Sequence, residues 1–359
     1  MLDLLRSAAA FIVVLGVLVF VHEFGHYIAA RWRGVHVEVF SIGFGPAIAT
    51  WRDRVGTVWK LAWLPLGGYV KLHGQERAED VSDDVRATWM PGRLFHEKRV
   101  GSRAIVVAAG PIANFLLAIV LFAALFATAG KPTILPVAGG VLPDSAAAHA
   151  GLQVNDRIIA IDGKPTSSFG DIQTIVSAHP SEKLTLTVRR GDTTLTLPVV
   201  TDSHMSGDTK VGLLGISGGQ IEYQRLSLPA ALAGGVTQTW DITRETIVGV
   251  WQMITGKRGT EDLGGPLRIA QLSGAVAEQG PLYLIQFIAL LSVNLGLLNL
   301  FPIPVLDGGH LLFYLAEALR GRPIPPRVQE YGFRAGLALL LGLFILATWN
   351  DLTRPGVFH

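Results

Sequence analysis

The sequence predicts a polytopic α-helical membrane protein with about four transmembrane helices, a membrane-associated β-hairpin region and an inserted mixed α/β domain. Of its 359 residues, 50% are hydrophobic and only 16% are charged, a low charged fraction for a water-soluble protein. The longest apolar stretches lie near the two ends of the chain and leave a more polar middle. This arrangement favours membrane spans that flank an inserted domain.

Four segments are candidate membrane spans, because about 20 apolar residues cross a bilayer core. We assign three of them to residues 1–32, 104–130 and 333–350, and the remaining one, the third in chain order, to residues 281–310, which also include the LDGGH segment. The first is uncharged from Ser7 to Val21, and the second carries no charge. In the third, Pro302 and Pro304 should end regular helix near Leu300. A cleaved signal peptide is the alternative for the first segment, although no small-residue cleavage site follows it.

The positions of Lys and Arg predict the orientation, since basic residues favour the cytosolic side. Eight of them lie near membrane ends between spans one and two: Arg31, Arg33, Arg52, Arg54, Arg93, Lys98, Arg99 and Arg103. Only Lys131 and Arg268 closely flank the long loop after span two. We therefore expect the loops 33–103 and 311–332 in the cytosol. The long loop, the amino terminus and the tail 351–359 should lie outside.

The long loop is predicted to have two parts. Residues 131–202 are rich in β-branched residues with regular turn signals, which favours a small mixed α/β domain. A helix is expected from Phe169 to Ala178, followed by strands at Leu184–Val188 and Thr194–Val200. Residues 203–280 are expected to be an amphipathic helical region, most clearly from Leu226 to Gly256.

The order of these elements resembles the circularly permuted PDZ domains of bacteria. PDZ domains bind peptides by adding a strand beside a helix, so the resemblance implies a partner peptide terminus at this domain. A β-rich spacer without a ligand is the alternative.

Two short apolar, glycine-rich stretches lie in the loop 33–103, at Val39–Pro46 and Leu64–Leu72. Both are too short to span a bilayer and are predicted to be strands of a membrane-associated hairpin. Irregular backbone at membrane depth is tolerated where it is buried or lines a cavity, which suggests a platform for an unwound substrate. Ordinary hairpins at the cytosolic surface are the alternative. The candidate substrate-binding residues here are Gly43, Gly45, Gly67, Gly68 and Tyr69.

An HExxH motif at residues 22–26 lies within the first apolar stretch. Positions i and i+4 share a helix face, so His22 and His26 can bind one metal ion while Glu23 serves as general base. The chain has no cysteine, so the third ligand must be His, Asp or Glu.

Asp307 is the best candidate for this third ligand. A carboxylate at membrane depth costs about 3 kcal/mol unless it is paired or bound. Three crossings would bring Asp307 to the depth of the histidines, below the cytosolic face. Its alternative role is an N-cap of the following helix.

Three further polar residues have less certain roles. Asn299 can hydrogen-bond the oxyanion or the substrate backbone, or it can satisfy carbonyls that Pro302 and Pro304 leave free. His310 is not expected to bind the metal, but it can contact and orient a residue that does. Asn114 should link two helices by a hydrogen bond.

Taken together, HEFGH at 22–26, GFGP at 43–46, GPIANF at 110–115, the PDZ-like insert and NLFPIPVLDGGH at 299–310 resemble the site-2 protease family of intramembrane zinc metalloproteases. Within it, they are similar to the bacterial regulator-of-sigma-E proteases, in a form with a single PDZ domain. The motifs occur in the expected order over nearly the whole chain.

The resemblance implies an inner-membrane zinc endopeptidase with one Zn²⁺ per chain. His22, His26 and Asp307 would bind the metal, and Glu23 would be the catalytic base. The substrate would be a single-pass membrane protein, an anti-sigma factor already trimmed by another protease, cut within the bilayer near its cytosolic side. The inserted domain would be periplasmic.

Two other function classes remain open at this point. A non-catalytic membrane adaptor would use the inserted domain to bind protein termini and would carry no metal. A transporter could place ionisable residues at the membrane midplane, although no inverted repeat is visible. The formal net charge of +2 gives no reason to expect nucleic-acid binding.

Overall fold

The computed structural model describes residues 2–75, 81–206, 209–257, 259 and 264–353. The chain forms two compact units, which are treated separately below. The helical unit comprises Met1–Leu125 and Pro229–His359, and the inserted unit comprises Phe126–Leu228.

In chain order the helices are α1 Leu2–Trp32, α2 Asp83–Ala87, α3 Val100–Thr128, α4 Ala146–His149, α5 Phe169–Ser177, α6 Leu228–Ile254, α7 Pro266–Gln279, α8 Pro281–Asn299, α9 Asp307–Arg320 and α10 Pro326–Thr353. The strands are β1 Val37–Arg52, β2 Val58–Leu72, β3 Lys131–Ile134, β4 Ala138–Val141, β5 Arg157–Ile161, β6 Lys164–Pro165, β7 Lys183–Arg190, β8 Thr193–Val200, β9 Asp202–Ser206, β10 Thr209–Leu213, β11 Ile216–Gly218 and β12 Ile221–Gln224.

Four of these helices are long and apolar enough to cross a membrane, judged by length and composition among the described residues: α1 from Leu5, α3, α8 and α10. Helix α8 ends at Asn299, close to the predicted stop before Pro302 and Pro304. Within residues 281–310, expected to hold the third span and the LDGGH segment, a new helix, α9, begins at Asp307 after the break.

The expected loop 311–332 is also corrected by the structure. Most of it is helical, because α9 continues to Arg320 and α10 begins at Pro326. Gly321 ends α9 in a left-handed conformation with φ 68°. The fourth span is consequently longer than the predicted 333–350, since Pro326 is accommodated at the start of a helix.

Helix α7 connects the start of α1 and the end of α10. The carboxylate of Asp351 accepts hydrogen bonds from the backbone N–H groups of Gly265 at 2.8 Å and Arg268 at 3.1 Å, which caps the start of α7. Near the other end of α7, Glu278 pairs with Arg6 at 2.5 Å. Helix α7 therefore contacts the amino end of α1 at one of its ends and the carboxyl end of α10 at the other.

The predicted hairpin region is one long hairpin whose two strands both bend. Phe40 pairs with Val70 and also with Trp59, so its segment lies between two others. The segments follow the order 47–52, 58–62, 37–42 and 68–72; the two outer pairings are antiparallel, and the partners of 37–42 within 58–62 run parallel to it. Segment 68–72 is consequently an edge, and no strand among the described residues pairs with its outer side.

The tip of this hairpin is fastened to α1. The side chain of Asp53 accepts hydrogen bonds from the backbone N–H groups of Val55 at 2.9 Å and Thr57 at 3.0 Å, which closes the turn. It also accepts from the Tyr27 hydroxyl and from Trp59 Nε1, each at 3.1 Å. A polar turn thus holds an otherwise apolar sheet beside the helix.

The inserted unit has its own core around a four-stranded sheet in the order β6-β5-β7-β8. Its most buried side chains include Ile158, Ile161, Leu186 and Val188. The predicted helix and both predicted strands are confirmed as α5, β7 and β8. Helix α5 begins with a capping box in which Ser168 and Asp171 bond to each other's backbone N–H.

The expectation of a helical region over the whole of 203–280 was wrong. Its first part forms strands β9 to β12, and two of these return to the beginning of the unit. Strand β11 pairs with β4, and β12 pairs with β3. The inserted unit therefore continues to Leu228 rather than ending at residue 202. Only the later part matches the expectation, as helices α6 and α7.

Candidate metal centre

Three side chains of the helical unit converge on one point. His22 and His26 project from α1, one turn apart, and Asp307 is the first residue of α9. The two Nε2 atoms lie 3.2 Å apart. Oδ2 of Asp307 lies 3.1 Å from Nε2 of His22 and 3.5 Å from Nε2 of His26. No other group of three or more such residues within the described ranges could hold a metal ion.

These distances fit a tetrahedral zinc site. Zinc bonds of about 2.0 to 2.1 Å at tetrahedral angles place neighbouring ligand atoms about 3.3 Å apart. Oδ2 of Asp307 is buried and makes no regular hydrogen bond within the described part of the chain. Metal-ligand atoms whose lone pairs face one another in this way repel unless a cation lies between them. Two nitrogens and one oxygen leave a fourth position open, as in catalytic zinc sites.

The ring of His26 is held from its other side. Its Nδ1 donates to the backbone carbonyl of Val106 on α3 at 2.9 Å. Because a carbonyl only accepts, the proton of the imidazole is on Nδ1, and the lone pair of Nε2 points to the centre.

The first turn of α9 folds directly against the end of α8, and this places Asp307. A Cβ atom on Gly308 would lie 2.2 Å from the Leu300 carbonyl oxygen and 2.3 Å from that of Phe301. Only glycine permits this approach. The N-cap of α9 is Leu306, so the alternative role of Asp307 as an N-cap is wrong.

A cavity of about 830 Å³ surrounds the three side chains. It contains seven of the ten predicted site residues, which are His22, Glu23, His26, Gly68, Tyr69, Asn299 and Asp307. His310 also lines the cavity but does not converge with the three candidate ligands. The structure therefore brings residues from both ends of the sequence to one space.

Gly43, Gly45 and Gly67 do not line this cavity. They lie where the two hairpin strands bend, with φ values of 87°, 87° and 122°. Glycine is suited to such positive φ values. Their position in the fold explains the glycines without a contact to the site.

The edge segment of the hairpin passes directly over Glu23. A Cβ atom on Gly68 would lie 2.9 Å from Cγ1 of Val19, 3.2 Å from Cγ of Glu23 and 2.6 Å from the Ser41 carbonyl oxygen. The absence of a side chain at position 68 allows the strand to approach α1 this closely. The carboxylate of Glu23 therefore shares the cavity with an open strand edge.

Asn299 lies at the end of α8, where its Nδ2 donates to the Leu295 carbonyl at 3.0 Å. This contact does not involve the carbonyls of Leu298 and Leu300, which are the ones that lose a helical N–H partner to Pro302 and Pro304, so the predicted local role is not the one observed. The side chain also lines the cavity around the three converging side chains.

Two residues of α3 were not singled out as site residues and yet contact the histidines. A Cβ atom on Gly110 would lie 2.3 Å from Nε2 of His26 and 2.9 Å from Nε2 of His22. One turn later, the amide of Asn114 lies 3.3 Å from Nδ1 of His22. The spacing of four residues in GPIAN could have placed both on the face of α3 that meets α1.

An ion pair between two residues of the cavity wall joins α3 to α9. Arg103 donates to Glu317 at 2.6 Å, and both side chains are largely buried. The guanidinium of Arg103 also lies over the ring of Tyr314, 5.0 Å from its centroid. Burial raises the pKa of Tyr314 to about 12. These contacts hold α9, and hence Asp307, against α3.

Substituting Gly110→Ala should sharply reduce zinc binding, because the added methyl group would collide with both Nε2 atoms. We expect at least a tenfold loss of affinity, measured on purified full-length protein by competition with a chelator. Gly101→Ala is the matched control, since a Cβ there meets nothing within 4 Å on the same helix. Equal zinc affinity in the two variants would contradict this role of Gly110.

Comparison with known proteins agrees with this centre. Residues 10–343 match peptidase family M50. A relative from Rhizobium meliloti, whose name proposes zinc metalloprotease activity, is 43% identical over 98% of this chain and 97% of its own length. Metalloprotease MmpA of Caulobacter vibrioides is 38% identical over 100% of this chain and 98% of its own.

Regulator of sigma-E protease RseP of Salmonella typhimurium is 34% identical, over 99% of this chain and 100% of its own length. The site-2 resemblance and the expected zinc are thereby confirmed. The chain belongs to peptidase family M50, the site-2 protease family of zinc metalloproteases.

Proposed function

We propose that this zinc metalloprotease is an intramembrane endopeptidase that cleaves a single-pass membrane protein within its transmembrane segment. One observation carries the proposal. His22, His26 and Asp307 converge between apolar helices, in a cavity that also holds Glu23 and an open strand edge. The residues needed to hydrolyse a peptide and the backbone groups needed to hold one occur in the same space.

His22, His26 and Asp307 would hold the zinc ion. Other residues would transfer protons and bind the substrate backbone. When bound, zinc polarises a peptide carbonyl and lowers the pKa of water to about 7. Glu23 accepts the proton of the attacking water and later delivers a proton to the leaving amine. Asn299, at the cavity wall, can hydrogen-bond the substrate backbone.

The edge segment 68–72 would hold the substrate by strand pairing. A transmembrane helix satisfies its own backbone, so it must unwind before a peptide bond can be attacked. The unwound backbone then needs new hydrogen-bond partners, which a free strand edge supplies. Gly68 brings this edge next to Glu23, and Tyr69 follows it within the cavity.

The hairpin carries large apolar side chains on its outer surface. Trp63 is 68% exposed, Ile48 56%, Trp51 55% and Leu64 55%. So much exposed apolar surface is unfavourable in water and favourable in a bilayer. We therefore propose that the hairpin is in contact with the membrane, which would let a substrate reach the edge segment from the lipid.

We propose that the metal centre lies below the cytosolic face and that the inserted unit is periplasmic. The uncharged run from Ser7 to Val21 covers about 22 Å of a core about 30 Å thick, so His22 follows near its inner end. The basic residues beside the spans support the same orientation.

The inserted unit would bind a peptide terminus in the manner of a PDZ domain. In support, α5 and the β-rich core have the element order of permuted PDZ domains, and α5 packs beside β10. A peptide could add as a strand next to this helix. The Salmonella relative is named a regulator of sigma-E protease, and on that basis we propose a trimmed anti-sigma factor as substrate.

Substituting Glu23→Gln should abolish cleavage of a single-span test substrate in reconstituted vesicles while the chain keeps one zinc. The amide cannot accept the proton, although it occupies the same volume. His22→Ala should instead lose the metal as well. Full activity of Glu23→Gln would contradict the mechanism, and absence of zinc from the native protein would favour the adaptor.

Substituting Gly68→Ala should reduce cleavage at least tenfold while zinc content stays unchanged. The added methyl group would collide with the Ser41 carbonyl and with Val19, and it would push the edge segment away from Glu23. Gly16→Ala on α1 is the control, because a Cβ there meets nothing within 4 Å. Native cleavage rates in Gly68→Ala would rule out the edge segment as the substrate platform.

The orientation can be tested with single cysteines, because the native chain has none. Asp192 lies at an exposed turn of the inserted unit, and Arg322 is exposed after α9. In spheroplasts, a membrane-impermeant maleimide should label Asp192→Cys at once and Arg322→Cys only after lysis. The reverse labelling order would contradict the proposed topology.

A further inference from the structure

Asn114 is fully buried in the middle of α3, at a distance from any chain end or solvent. Its amide contacts His22, with 3.3 Å between Nδ2 and Nδ1 of the ring. Oδ1 of the same amide is buried and has no hydrogen-bond partner among the described residues. A buried polar group in this position calls for a physical role.

The protonation of the His22 ring determines whether its Nδ1 needs the oxygen or the nitrogen of the Asn114 amide as partner. Nε2 of His22 faces the centre, 3.1 Å from Oδ2 of Asp307. If Nε2 binds zinc, the proton of the neutral ring must be on Nδ1, and Nδ1 then needs an acceptor. Turning the amide by 180° exchanges its oxygen and nitrogen and brings Oδ1 to Nδ1. Because Oδ1 has no other partner, this turn breaks no bond to it.

The arrangement parallels that of the second histidine. Nδ1 of His26 donates to the Val106 carbonyl, which lies eight residues before Asn114 on the same helix. Gly110, midway between them, leaves the space that both rings occupy. One face of α3 thus offers one backbone acceptor and one side-chain acceptor to the two imidazoles.

We propose that Asn114 is a positioning residue for the metal centre. This inference rests on the proposed function, in which His22, His26 and Asp307 bind the zinc ion. Its Oδ1 accepts the Nδ1–H of His22 and fixes both the plane of the ring and the nitrogen that faces the zinc. Asn114 touches neither substrate nor metal, and it acts through His22.

The packing of α3 against α8 at this position uses the backbone of Asn114 rather than its side chain. The backbone carbonyl of Asn114 accepts a hydrogen bond from Oγ of Ser292 on α8 at 2.8 Å. This link between α3 and α8 does not depend on the Asn114 side chain. Ser292→Ala therefore removes a helix contact at the same level without removing the contact to His22, and it is the matched control.

The experiment measures zinc affinity of the full-length chain in detergent, with zinc alone as probe and a chelator in competition. Asn114→Leu keeps the number and branching of the side-chain heavy atoms but removes the acceptor, and its zinc affinity should fall about 10- to 100-fold, as for other residues that orient metal ligands. Asn114→Asp can only accept, so it should bind zinc at least as tightly as the native chain. Ser292→Ala should bind zinc normally.

Each outcome decides the proposal. Native affinity in Asn114→Leu, or an equal loss in Ser292→Ala, overturns it. A loss in Asn114→Asp also overturns it, because that result would show that the amide acts as a donor. If Asn114→Leu does not fold, the Asn114→Asp result alone decides. His22→Ala is the reference: if it binds zinc like the native chain, the proposed ligand set fails, independently of Asn114.

Discussion

The burial of two imidazoles and a carboxylate among apolar helices is the constraint on which the helical unit depends. Polar groups at this depth are costly unless each finds a partner, and here three donor atoms face one another across 3.1 to 3.5 Å. A divalent cation resolves the conflict and uses all three. The surrounding structure can be understood as the means of keeping these atoms together.

The side chains of His22, His26 and Asp307 are held in place by neighbouring residues that lack an obvious signal in the sequence. The Val106 carbonyl orients His26, and α3 passes close to both rings only because residue 110 is glycine. Asp307 is held by the fold of α9 against the end of α8, where Gly308 permits contact with two carbonyls. The Arg103–Glu317 pair then fastens α9 to α3. Helix α3 is therefore the common support of the centre.

In the proposed function the hairpin would meet a second constraint, which is the need of an unwound substrate backbone for hydrogen-bond partners in an apolar environment. Its strands bend so that segment 68–72 becomes an edge beside Glu23 rather than an inner strand. The bends use glycines with positive φ, and the close approach to α1 uses Gly68. Glycines that look alike in the sequence thus serve two different purposes.

The sequence by itself determined the four apolar spans, the HExxH motif, the third ligand candidate and the stop of α8 before Pro302. These follow from local composition, helical periodicity and proline chemistry, which a linear pattern expresses directly. It failed where contacts are distant along the chain. The return of β11 and β12 to β4 and β3 moved the end of the inserted unit, and α9 appeared where a loop was expected.

Only the tertiary structure decided which polar atoms meet. It showed that Gly43, Gly45 and Gly67 shape bends whereas Gly68 approaches Glu23, and that Gly110 and Asn114 face the histidines. The physical reason is that a motif states which atoms are available, while their distances depend on how helices far apart in sequence pack against each other.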